Sequence, residues 1–122
     1  METVKIENRE IPMRCTVREL AEIEEQIDTM DKLNEMILKG RRRLRNIASA
    51  IRILGNSGLR AGGGKADLTD DWVLDHMDAS KIRTYQTAIM AAVADAFHME
   101  TNEDTVRDPV LEEIERKKEQ GN

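Results

Sequence analysis

Hydrophobic positions change period inside one stretch of the chain, Ile11 to Ile27. Ile11, Met13 and Cys15 alternate with Pro12 and Arg14, the period-two pattern of a strand with one face buried. From Val17 the apolar positions become Val17, Leu20, Ala21, Ile23 and Ile27, one face of a helix. Thr16 marks the changeover, and with Glu19 it forms a T-x-x-E capping box that satisfies two backbone N–H groups at a helix start. Upstream, Val4 and Ile6 alternate with Lys5 and Glu7, and Asn8-Arg9 offers a tight turn. Residues 3–15 therefore read as a β-hairpin whose apolar face must lie on the helices or on another chain. An open hairpin edge invites strand addition by a partner or self-association with a second copy.

The helical period then dominates. A second helix is predicted over Met30–Lys39, capped by Asp28 or Thr29, with Leu33, Met36 and Ile37 inward and Gly40 closing it. A third runs from Arg41 to Leu54 on the stripe Leu44, Ile47, Ala48, Ile51 and Leu54, with Gly55-Asn56 ending it. Residues 55–67 hold five of the seven glycines and read as a mobile loop. Thr69 caps a short helix from Asp70 to Met77. After a break near Asp78, a long helix over Ser80–His98 repeats Ile82, Tyr85, Ile89, Ala92, Val93 and Ala96. Its alanines permit close approach, which makes it the expected central helix. Past Met99 the chain turns polar and acidic, and Asp108-Pro109 opens a short charged helix offering only Val110, Leu111 and Ile114 as apolar contacts.

The expected fold class is mainly α: a small helical bundle preceded by an N-terminal β-hairpin, with a glycine-rich mid-chain loop and a short charged C-terminal helix. Residues 1–99 form the hairpin-plus-bundle domain, and residues 100–122 form an acidic linker and that helix. Trp72, Tyr85 and Phe97 are the only aromatics, so aliphatics and seven methionines fill the core, a pliable packing suited to adaptable surfaces. The net charge is −5, from 19 basic and 24 acidic residues, which argues against a general nucleic-acid binder. Cys15 stands alone and forms no internal disulfide. No signal peptide and no run near the ~20 apolar residues of a membrane span is read, so the expectation is a cytoplasmic protein with no membrane partner.

Residues suited to chemistry are scarce. The GGGK sequence lacks the glycine and the Ser or Thr of a phosphate loop, since positions 59 and 66 are Leu59 and Ala66. His76, His98 and Cys15 make no metal-ligand spacing. Asp70, Asp71, Asp75 and Asp78 lack a polarising partner, and two of them sit where helix-start charges ordinarily do. Neither cofactor nor metal is expected, and no enzyme. The run Arg41, Arg42, Arg43 and Arg45 is different. Positive charge at a helix start opposes the dipole, which calls for an offsetting carboxylate from the chain's own helices or from an acidic partner. A phosphate contact is the remaining alternative. These arginines, with Val110, Leu111 and Ile114, are the candidate partner-binding residues.

Three blocks in sequence carry a resemblance: IPMRCTVRELAEIEEQI, RRRLRNIASAIRILGNSGLR, and LTDDWVLDHM with the Ala-rich helix behind it. They resemble the tail assembly chaperones of long-tailed bacteriophages, prophages and gene transfer agents, and VLEEIERKKE is similar to the charged tails of that family. The resemblance implies a non-enzymatic protein of the bacterial host cytoplasm. It would coat the tape measure protein, recruit tail tube subunits, and be absent from the mature virion. The rival expectations are a tail completion or connector protein retained in the virion, and a small helical DNA-binding regulator using the arginine run.

Overall fold

A computed structural model of the chain describes residues 2–104, with side chains through residue 97. The fold is mainly α, a small helical bundle preceded by an antiparallel hairpin. The elements are β1 (Glu2–Ile6), β2 (Arg9–Met13), α1 (Val17–Gln26), α2 (Met30–Lys39), α3 (Arg43–Ala61), α4 (Asp70–His76), a 3₁₀ turn at Ala79–Lys81, and α5 (Ile82–Asp104). Val110, Leu111 and Ile114 lie outside the described residues.

Alternation in the strands sorts the hairpin as expected, with Val4, Ile6, Ile11 and Met13 all buried on one face. Ile6 pairs with Arg9, so the turn is Glu7-Asn8 rather than Asn8-Arg9. Glu7 takes φ 56°, a left-handed conformation that favours glycine or asparagine. In a two-residue hairpin the pairing alternates, and Pro12, which has no N–H, falls on an outward-facing position of β2. There α3 closes the edge: the Arg14 N–H donates to the Leu54 carbonyl at 3.1 Å, and the Pro12 carbonyl abuts Gly58. The outward backbone groups of Thr3 and Lys5 on β1 have no backbone partner among the described residues.

The central element is α3, not the alanine-rich helix. It packs on β2, α4, α2, α5 and α1, and its buried face runs from Asn46 through Gly58. Gly55-Asn56 does not end it. The helix continues to Ala61, and only residues 62–67 remain as the glycine loop. Gly55 and Gly58 are contact glycines: a Cβ on Gly55 would meet Leu68 Cδ1 at 2.6 Å and Ile11 Cγ2 at 2.7 Å. Asn56 holds the far end of the loop, its side chain accepting from the Leu68 N–H at 3.0 Å and donating to the Leu68 carbonyl at 3.1 Å.

Three residues assigned inward by period face solvent instead: Val17 is 68% exposed, Leu44 is 47% exposed, and Ala21 is exposed as well. Val17 and Leu44 sit in the first turns of α1 and α3. In α1 the inward position goes to Glu19, buried beside Ile23. The capping box forms, and one Glu19 carboxylate oxygen accepts from the Thr16 N–H at 2.8 Å and the Thr16 hydroxyl at 2.6 Å. The last helix begins with the 3₁₀ turn and ends at Asp104 rather than His98, taking in the first residues of the segment read as linker.

Candidate functional site

The junction of α2 and α3 is built from a glycine that backbone proximity demands. Gly40 has extended rather than left-handed geometry, φ −66° and ψ 161°. A Cβ there would lie 2.7 Å from the Met36 carbonyl oxygen, so only glycine lets the chain turn this tightly against α2. Arg41 and Arg42 form the turn, and α3 starts at Arg43, two residues later than its apolar stripe predicts. Two buried side chains hold the last turn of α2. Asn46 of α3 donates to the Met36 carbonyl at 3.3 Å, and Gln86 of α5 donates to the Ile37 carbonyl at 2.7 Å. These bonds satisfy carbonyls that the end of α2 leaves without helical partners.

The arrangement leaves an open groove of about 650 Å³ between α2 and α5. Leu38, Ile82 and Met90 supply its apolar surface, with Arg43 and Arg83 among the other lining residues. Leu38 is 44% exposed, so its side chain is open to a partner. Arg41, Arg42, Arg43 and Arg45 gather around a second hollow of about 530 Å³ at the same corner, and all four are exposed. Ion pairs among the described residues are Arg9–Asp67, Arg18–Glu22 and Arg52–Asp70. None of the corner arginines has a carboxylate partner among the described residues, so the offset that the helix dipole calls for is not supplied there. Arg83 is likewise exposed and without such a partner.

Other candidate chemistry is absorbed by structure. Asp70 accepts from Ser49 at 2.8 Å and Arg52 at 2.6 Å, tying α4 to α3, and Arg52 also reaches Gln26. Thr69 caps α4, accepting from the Trp72 N–H at 3.0 Å. Asp78 caps the 3₁₀ turn through Ser80, while its own N–H donates to the Tyr85 hydroxyl at 3.0 Å. His76 stacks on Trp72 at 4.5 Å between ring centroids, and the Arg9 guanidinium lies 5.3 Å from the other aromatic partner, the Trp72 ring. Burial, followed by the negative charge of Glu19, pushes the Cys15 thiol up to about 12, which keeps it protonated and poorly nucleophilic. Among the described residues no three His, Cys, Asp or Glu side chains are grouped to hold a metal, and no helix is long and apolar enough to cross a membrane.

Reading the sequence found the arginines and missed the groove beside them. Arg83, Gln86, Thr87 and Met90 recur at i, i+3, i+4 and i+7 along α5, a helical stripe of mixed polarity that a search for apolar positions passes over. Leu38 lies off the Leu33/Ile37 core stripe of α2, and this displacement was its one visible signal. Comparison with family models, with curated proteins and with solved structures finds no match.

Proposed function

We propose that the chain is a non-enzymatic assembly chaperone of the kind its sequence resembles, working in the bacterial cytoplasm during the building of a long phage tail. Its α2–α5 groove takes helical stretches of the tape measure protein, keeps that client soluble, and yields it when tail tube subunits arrive. The observation that carries this reading is the open groove with Leu38, Ile82 and Met90 on its walls. An amphipathic client helix docks into such a surface with anchors at helical spacing. Methionine at Met90 adapts to different stretches of a long client.

The same groove explains release. Three apolar side chains, at roughly 1.5–3 kcal/mol each when fully buried, contribute about 4.5–9 kcal/mol, which only offsets an association cost of ~4–15 kcal/mol. One copy therefore holds its site loosely, and many copies along a client share the work. The test is co-expression with a tape measure protein, measuring how much client stays in the soluble fraction. A client that aggregates equally with and without the chain refutes the proposal.

A further inference from the structure

Resting on the helix-binding reading, we infer that the groove selects its partner by charge: the occupant is an amphipathic helix whose polar flank is acidic. The chain as a whole carries −5, yet positive charge is concentrated at this one corner. Arg43 and Arg83 line the groove, and Arg41, Arg42 and Arg45 stand beside it. Arg9, Arg18 and Arg52 find carboxylates at 2.6 to 3.7 Å, whereas these five, gathered at one corner, have none among the described residues; Arg14 and Arg60 also lack one but stand apart from the groove. The first turn of α3 holds no acidic residue to balance its arginines, so the free corner keeps positive charge against the positive end of a helix dipole.

A partner helix presenting Glu or Asp beside its apolar stripe relieves that repulsion while Leu38, Ile82 and Met90 receive the stripe. A basic flank adds to the repulsion. Juxtaposed like charges are a means of rejecting wrong partners, and complementary ones speed encounter. Acidic flanks thus set which stretches of a long helical client are covered.

Three synthetic helical peptides with one shared Leu/Ile stripe and Glu-rich, Gln-rich or Lys-rich flanks test this against the full chain, by fluorescence anisotropy at low and physiological salt. The Glu peptide is expected to bind at least tenfold tighter than the Gln peptide, with the Lys peptide weakest. That advantage should shrink as salt rises. Methyl resonances of Leu38 and Met90 are expected to shift on binding. The exposed double substitution Arg43→Glu with Arg83→Glu, its fold checked by circular dichroism, should reverse the order in favour of the Lys peptide.

Equal affinities for the Glu and Gln peptides, or shifts that avoid Leu38 and Met90, overturn the inference. Tighter binding of a short DNA duplex overturns it in favour of nucleic acid. A doubling of mass with concentration that the double substitution abolishes overturns it in favour of a second copy. Client solubility separates the inference from the reading beneath it. If the arginine variant still keeps the tape measure protein soluble while Leu38→Asp does not, charge selection falls and the chaperone groove stands. If Leu38→Asp also keeps it soluble, the groove reading falls.

Discussion

Pro12 and Gly58 meet backbone to backbone: a Cβ built on Gly58 would lie 1.9 Å from the Pro12 carbonyl oxygen and 2.5 Å from its carbonyl carbon. This contact closes the outer edge of β2 with a helix. The Arg14 N–H, donating to the Leu54 carbonyl one helical turn away, fixes the same seam.

Gly58→Ala is accordingly predicted to destabilise the domain by about 3 kcal/mol, because the clash is with backbone and cannot be relieved by a rotamer change. In an ordinary helix interior the same substitution gains about 1 kcal/mol. The sign of the change is therefore the test. Gly62→Ala serves as the comparison, since its nearest atom is the Gly58 carbonyl oxygen at 3.7 Å. It should be neutral or stabilise by up to about 1 kcal/mol. Urea denaturation of both variants checks the pair, and a stable Gly58→Ala protein contradicts the seam.

The hairpin turn yields a gain instead of a loss. Glu7 is the only described non-glycine residue with positive φ, at 56°, and no hydrogen bond or ion pair from its side chain rewards that conformation. Glu7→Gly removes the Cβ–carbonyl crowding of the left-handed region and should raise stability by roughly 0.5–1 kcal/mol. An unchanged or lower urea midpoint would contradict this.

Much of this architecture was legible in the sequence. Thr16 and Thr69 mark helix starts because a capping side chain acts within three residues, and the strand alternation of Val4, Ile6, Ile11 and Met13 depends only on local geometry. Gly55 and Gly58 misled because glycine's local helix cost, about 1 kcal/mol, is overridden by the approach of β2 and Leu68, which no local rule anticipates. Periodicity placed Leu44 on the right face of α3 but does not say how far along that face the core extends, and in α1 it took Val17 as inward where the charged Glu19 is buried. The groove was hidden for a further reason. Leu38 and Met90 come together only because Gln86 and Asn46 anchor the end of α2, a contact spanning 49 residues in the case of Gln86 and Ile37.

That anchoring is itself testable. Gln86 is buried, and its amide is the donor that reaches the Ile37 carbonyl. Gln86→Ala leaves the carbonyl without this partner and should cost about 1–3 kcal/mol. Gln86→Glu is more informative, because at neutral pH it sets a carboxylate against a carbonyl oxygen. Its carboxyl should titrate above the ordinary range, so this variant recovers stability as pH falls, opposite to the parent. Parallel pH profiles for Gln86→Glu and the parent would show that the bond does not hold α2.

Acid sensitivity of the parent is expected to centre on Glu19. Burial alone would raise its carboxyl, but hydrogen bonds from the Thr16 hydroxyl and N–H and from Ser57, together with the charge of Arg14, outweigh it and hold the group below its ordinary 4.5. A carboxyl depressed in the folded state contributes stability that is present above the unfolded-chain value and disappears as pH falls through the folded one. Asp67, held low by Arg9, and Asp78, held low by Ser80, act in the same direction but are exposed. Glu19→Gln keeps an acceptor for the two Thr16 donors and removes the charge that strengthens them, at a cost of about 1 kcal/mol near pH 7. As pH falls from about 4.5 through the lower folded-state value, the parent's Glu19 becomes protonated too, so the two stabilities should converge only once that lower value is passed. Urea midpoints measured from pH 7 to pH 3 decide the matter. A gap between the two proteins that stays constant across that range would move the acid-sensitive contact away from the Thr16–Glu19 box.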